Sequence, residues 1–331
     1  FNQSGNGWSA VQSLKVFPPI DNLSNIMTAD LLGNGTACLV WSSPLLGDAQ
    51  RPMRYVELMG GQKPHVMIRM ANNLGAETHI TYAPSTKFYV KDRLAGRPWI
   101  TKIPFPVHCV EQVTVTDKWR KTKFSSTYSY HHGYFDGIER EFRGFGRVEQ
   151  IDSEDHGVFA QGNDESPYIT DDKRLYQPPV KTVTWFHTGA SRDRNEILTQ
   201  FESEYFPNWF EVVRPNGGNV PGRFSESKLP DPDLALEDLS TEEWREALRA
   251  CKGMVLRQEI YELDVDRLAE GEHHPTKLFS SAYHNCHIQR LQPRLENPHA
   301  VFLVTESEAI NYHYELDLKM NAVTQQPRVS H

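Results

Sequence analysis

The sequence lacks most of what would mark a membrane span, a disulfide scaffold or a familiar enzyme. Across 331 residues no stretch approaches the roughly 18 apolar residues that a spanning helix needs. The longest clean runs, such as Ala300 to Val304, are strand-sized, and direct membrane insertion is not expected. Cysteine is scarce. The 4 thiols, Cys38, Cys109, Cys251 and Cys286, lie far apart without CxxC spacing and do not make a disulfide framework in a chain this long. GxSxG, P-loop, HExxH and GxGxxG motifs are all missing, which leaves acyl transfer, nucleotide and zinc-protease chemistry without a warrant. The chain carries no signal peptide, opens on Phe1 rather than Met and closes at Pro327 to His331 in mid-pattern, so a segment of a longer protein is expected.

What is present suits a soluble globular protein: 38% apolar residues, 11% aromatics and a mean hydropathy of -0.57. Length alone suggests about two domains. The net charge of -8 is uneven. Residues 1–150 carry 17 Lys+Arg against 12 Asp+Glu, a net of +5, and residues 151–331 carry 18 against 31, a net of -13. Neither half shows the clustered basic face of a nucleic-acid-binding protein, and no nucleic-acid partner is expected.

Period-two alternation dominates, and the fold class read from it is mainly β and antiparallel. Ile310, Tyr312, Tyr314, Leu316 and Leu318 alternate with polar residues, so one face is core and the other meets water. Val113 and Val115 lead through Asp117 to Arg120 into Phe124, Ser126, Tyr128 and Tyr130, which reads as a hairpin. His65 to Ala71 and Ala76 to Tyr82 flank Asn72-Asn73-Leu74-Gly75, whose Asn and Gly tolerate the positive φ of short loops. Two helices interrupt the strands. Ser240-Thr241-Glu242-Glu243 is a capping box, Leu239 and Trp244 can staple it, and Trp244, Ala247, Leu248 and Cys251 follow at helical spacing before Gly253, giving a helix over 241–252. The other runs over 193–206, with Ile197, Leu198, Phe201 and Tyr205 on one side and Pro207 ending it. Asp152 to Pro167 and Pro215 to Pro232 read as loops.

Each chemistry-bearing group has a plainer reading. Asp30 to Trp41 has the shape of an integrin-type propeller repeat, but Leu32 stands at the middle ligand position and leaves only Asp30 and Asn34, so a Gly-bearing turn is expected rather than a calcium site. His131 and His132 are strand neighbours that point to opposite faces and cannot share an ion. His284 and Cys286 could share a face with His108 or Cys109 only if the fold brought them together, and ordinary strand polar residues are expected. Gly144-Phe145-Gly146 reads as a close-packed turn, and Glu139, Arg140 and Glu141 as the solvated face of a strand. No catalytic residue, metal ligand or cofactor is assigned.

Several stretches together resemble a known family. Arg97-Pro98-Trp99-Ile100-Thr101-Lys102, Tyr128 to Gly137, and Arg140-Glu141-Phe142-Arg143-Gly144-Phe145-Gly146-Arg147-Val148-Glu149 look like the middle region of the B component (TcB or TcaC type) of bacterial insecticidal toxin complexes. The likeness continues through Leu31 to Ser43, Asn72 to Thr86, Trp244 to Gly253 and His299 to Val304, and related segments occur in SpvB-like and Rhs/YD-repeat proteins. The resemblance implies a secreted, non-enzymatic virulence component: the end of a β-propeller over residues 1–55, then an Rhs-like antiparallel β-shell segment with inserted helices over 56–331. It implies two partners, a Rhs-like C component carrying the toxic effector and a pentameric A channel used for translocation. Taken alone such a segment exposes strand edges and is expected to be poorly soluble or oligomeric. A different class, a secreted adhesive or glycan-binding β-module, would rest on sugar stacking by Trp41 and Trp119.

Overall fold

A computed structural model describes the chain except at residues 1, 4, 14, 16, 19, 120, 121, 155–177, 207–225, 228, 230, 231, 235–238, 265–267, 269, 270, 272, 274, 321–326, 330 and 331. The chain divides into two compact units, Phe1–Val66 and Met67–His331. In the first, β1 (Asn25–Ala29), β2 (Cys38–Ser42) and β3 (Met53–Glu57) form a three-stranded antiparallel sheet with β2 at its centre. Central position explains burial: Cys38, Val40 and Trp41 of β2 are all buried, with the Arg54 guanidinium over the Trp41 ring at 5.3 Å.

The second unit is one 11-stranded sheet. Its strands are β4 (Arg69–Ala71), β5 (Ala76–Pro84), β6 (His108–Asp117), β7 (Thr122–Asp136), β8 (Glu141–Glu154), β9 (Val180–Phe186), β10 (Asp233–Leu234), β11 (Val255–Leu263), β12 (Pro275–Gln292), β13 (Val301–Met320) and β14 (Pro327–Val329). All but β10 lie side by side in chain order, each antiparallel to the last. The short β10 runs parallel to β12 at His287 and Ile288, beyond the stretch of β12 that β11 covers. Both expected hairpins form, at Asn72–Gly75 and between β6 and β7. Asn73 (φ 44°) and Gly75 (φ 100°) supply the left-handed backbone the first one needs. Among the described residues no sheet closes on itself and no helix is long and apolar enough to cross a membrane.

One face of the central strands is dry and the other half-exposed, as the strict alternation of burial along β11 shows. Three described helices cover the sheet: α1 (Ser85–Leu94), α2 (Arg194–Glu204) and α3 (Thr241–Ala250). Under α2, Ile197 and Phe201 pack against Val183, Trp185, Tyr261 and Leu278. Each such apolar side chain contributes about 1.5–3 kcal/mol by leaving water. The α3 capping box is complete, and Ala247, Cys251, Cys286 and Ile288 form its core. Helix α1 has no counterpart in the sequence reading. It fills the gap where β6 and β7 part, since they pair only over Gln112–Asp117 and Thr122–Thr127. There Phe88 meets the Tyr130 ring edge-on and the Tyr130 hydroxyl donates to the Val110 carbonyl at 2.8 Å.

Two local expectations are corrected. Gly144 to Gly146 lie within strand β8 rather than in a turn, and Gly146 is required because a Cβ there would stand 2.4 Å from Phe201. Glu139 and Arg140 belong to the turn joining β7 and β8 rather than to a strand. Of the two expected loops, residues 155–167 and 215–225 lie outside the described residues, while Asp152, Ser153 and Glu154 belong to β8.

Candidate functional site

The most concentrated chemistry lies where α1 meets β7, β8 and β9. Asp92 of α1 is buried, and its Oδ2 accepts from Trp99 Nε1 at 2.7 Å and lies 2.5 Å from Nδ1 of His131 on β7. Arg147 of β8 donates from Nη1 to Glu204 of α2 at 2.6 Å and from Nη2 to Glu149 at 3.0 Å. Lys181 of β9 reaches the other Glu149 oxygen at 2.9 Å. Asp92, His131, Arg147, Glu149 and Lys181 line a pocket of about 200 Å³ together with Lys91, Arg97, Ser129 and His273.

Burial and pairing compete throughout. Desolvation, the largest single influence, would raise Asp92, yet His131, the Trp99 hydrogen bond and the Arg147 charge together outweigh it and hold the carboxyl below its ordinary range. Glu149 sits well below the carboxylate range because Lys181 and Arg147 overcome its burial. Glu204 is brought down to about 2, burial being overcome by the His132 hydrogen bond at 2.8 Å and by Arg147. His131 moves the other way: burial first, then Arg147, lowers it, which favours a neutral ring. With Nδ1–H given to Asp92, its Nε2 is left as an acceptor, and that atom has no hydrogen-bond partner.

A second buried ionic group lies under α2. The Arg257 side chain is 0% exposed and its guanidinium is sandwiched at 4.6 Å and 4.3 Å between Tyr205 and Tyr283. Nη1 donates to Glu226 at 2.6 Å and Nε to Glu259 at 2.8 Å. The same carboxylates accept from Ser281, Tyr314, Tyr261 and the Phe206 backbone N–H. A third group ties α3 to the turn between β7 and β8: Arg245 pairs with Glu139 at 2.9 Å, and Arg249 and Lys252 with Glu141 at 2.9 Å and 2.7 Å. Burial opposes the ionisation of Glu141, but those two cations bring it down to about 2. The pair Glu139 and Glu141 thus anchors a helix.

The singled-out residues fall as follows. Asp30 accepts from the Asn34 and Gly35 backbone N–H groups, and Asn34 from Thr36, so the turn consumes their oxygens itself. His131 and His132 bond to different carboxylates, Asp92 and Glu204. The structure does not gather His284, Cys286, His108 and Cys109. His284 lies 2.6 Å from Glu306, Cys109 packs with Ala83, Phe88 and Trp99, and the Cys286 Sγ is 3.5 Å from that of Cys251. Among the described residues no group of three His, Cys, Asp or Glu side chains could hold a metal ion. Trp41 is buried at 1% exposure and cannot stack on a sugar, whereas Trp119 is 82% exposed. The Asp92, Arg147, Glu149 and Lys181 cluster had no sequence signal, because its members come from three elements separated by long stretches of chain.

Largely antiparallel sheets with few helices define a mainly β protein. The family models are more specific. Residues 11–178 match the insecticide toxin TcdB middle/N-terminal region and residues 246–330 the TcdB middle/C-terminal region, and the chain belongs to this insecticidal toxin family. Among solved structures, the chain is similar to a crystal structure of TcdB2-TccC3 without its hypervariable C-terminal region, at 28% identity and TM-score 0.68 over 95% of this chain and 14% of that one. A Tc holotoxin pore of Photorhabdus luminescens matches at 27% identity and TM-score 0.67, over 95% of this chain and 13% of that one. The chain therefore spans only 13–14% of the length of these relatives. No curated protein matches it.

Proposed function

We propose that this chain is a wall segment of the shell that a toxin-complex B component builds with its C component around a toxic effector, and that it acts without catalysis. One observation carries the reading: the second unit is a sheet in chain order whose outer strands, β4 and β14, are paired on one side only. Such a sheet is a repeatable wall that neighbouring strands of a longer chain extend on either side. Residues 1–55 then supply the end of a propeller that docks on a pentameric A channel, and the remainder lines the shell. The partners are a TccC-type C component and that channel, and the site of action is outside the producing cell. Support comes from the TcdB2-TccC3 and holotoxin pore structures, which cover this chain almost throughout.

The test is co-expression of the full-length protein with its C component, followed by limited proteolysis. The effector is expected to be protected in the complex and degraded when the B component is left out. An effector cleaved equally in both would sink the reading. The same segment expressed alone is expected to associate through its bare edges, and a clean monomer by light scattering would count against that.

A further inference from the structure

We infer that Cys251 and Cys286 are a modification site: they form a disulfide that ties the C-terminal end of α3 to β12. The two sulfurs are 3.5 Å apart although the residues stand 35 positions apart in the chain. A disulfide needs its sulfurs at about 2.05 Å, so an approach of about 1.5 Å is shared between two side chains. The surroundings are apolar. Ala247 and Ile288 complete the buried cluster, and Met254, Phe302 and Val304 pack against it. Both cysteines are only 1% exposed. A disulfide has no S–H to satisfy and suits such a dry nest better than two weak donors do. Of the other cysteines, Cys109 packs with Ala83, Phe88 and Trp99, and Cys38 belongs to the first unit.

The step requires a two-electron oxidant, and the class that fits is a low-molecular-weight disulfide, RSSR. One cysteine loses its proton and its thiolate attacks a sulfur of RSSR; the S–S bond breaks, a mixed disulfide forms and RS⁻ leaves with that proton as RSH. The second thiolate then attacks the protein sulfur of the mixed disulfide and expels the second RSH. Two thiols and RSSR thus become one protein disulfide and two RSH. Burial decides when this happens. Sulfurs this enclosed meet RSSR only while α3 is lifted from β12, and the returning helix closes the bond away from reductants. The N-terminal end of α3 is already held, by its Ser240 cap and by Glu243 accepting from the Arg294 N–H. The disulfide would fix the other end, and with it the Arg249 and Lys252 pairs to Glu141.

The experiment exposes the full-length protein to oxidised glutathione in urea just below its unfolding midpoint, where local openings are populated while the fold persists. Remaining thiols are then alkylated with iodoacetamide under full denaturation, and a non-reduced digest is read by mass spectrometry. A cross-linked Cys251–Cys286 peptide is expected, with Cys38 and Cys109 recovered alkylated. Hydrogen exchange after removal of urea is the second measurement: backbone amides of α3 are expected to exchange about tenfold more slowly in the oxidised protein than before oxidation, to recover with dithiothreitol, and to show no such slowing in Cys286→Ala. Alkylated thiols at both positions, glutathione left on either sulfur, a bond from either to another cysteine, unchanged α3 exchange on cross-linking, or slowing that persists in Cys286→Ala would overturn the assignment. None of these outcomes depends on whether the chain encloses an effector.

Discussion

The two halves of the large sheet bury the same chemistry to opposite ends. Under α2, Arg257 is closed between two tyrosine rings, with two carboxylates that are themselves held by hydroxyls and a backbone N–H. Beside α1, Arg147 also meets two carboxylates, but among the described residues no ring is recorded over it and a cavity opens next to it. A buried arginine on a strand is thus a dry fastening where aromatics exclude water and a fastening beside a cavity where they do not. Sequence alone cannot tell them apart, since each lies in a strand beside an alternating Glu, Glu149 or Glu259.

Removing the dry fastening should have the largest effect. Arg257→Met leaves Glu226 and Glu259 without their cation, and a loss of about 3–5 kcal/mol is expected in urea unfolding of the full-length protein. A change below about 1 kcal/mol would mean that the tyrosines alone hold that half. Glu204→Gln probes the wet half. Glu204 is held at about 2 in the folded chain against an ordinary 4.5, so it contributes stability above pH 4.5 that is lost as pH falls toward 2, about 3 kcal/mol in all. The variant should be less stable than the parent at pH 6, converge with it near pH 2 and show a flatter acid-denaturation profile. Parallel profiles would contradict the pairing.

Gly146→Ala tests the seam between the halves, where the Phe201 ring of α2 lies against the β8 backbone. Forcing a Cβ against that buried ring should cost about 1–3 kcal/mol, read as a lowered thermal midpoint. An unchanged midpoint would show that α2 can lift without loss. Ser240→Ala, on α3 and outside both clusters, should cost only about 1 kcal/mol through the lost cap. A larger loss would mean that α3, through its ion pairs to Glu139 and Glu141, supports the turn between β7 and β8 more than the cap alone explains.

Strands and the capped helix were legible because their signals are local: alternation in β6, β7 and β13, turn residues at Asn72 to Gly75, and reciprocal hydrogen bonds between Ser240 and Glu243. The α1 helix was not, since only Ser85, Phe88 and Asp92 of its ten residues are buried and two of those are polar, which leaves no apolar stripe to read. The burial of Glu243 and Glu246 on α3 had no local signal either. They accept from the backbone N–H groups of Arg294 and Ala300 between β12 and β13, partners distant in the chain. The pocket was invisible because charge convergence depends on cross-strand register, which pairs His131 with Arg147 and Arg147 with Trp185.

Strand order also governs how the molecule can be made. Because all but one of the eleven strands add to the sheet in the order of their synthesis, each strand pairs with the one translated just before it. Apart from the β9–β11 pairing, contacts between neighbouring strands therefore close at short sequence separation, which keeps the entropy lost at those steps small. The growing edge is always a competent template for the next strand, and with the β4 edge it is where a stray strand could be captured. Such a sheet can be extended during translation to a length that a Greek-key topology could reach only after the chain was complete.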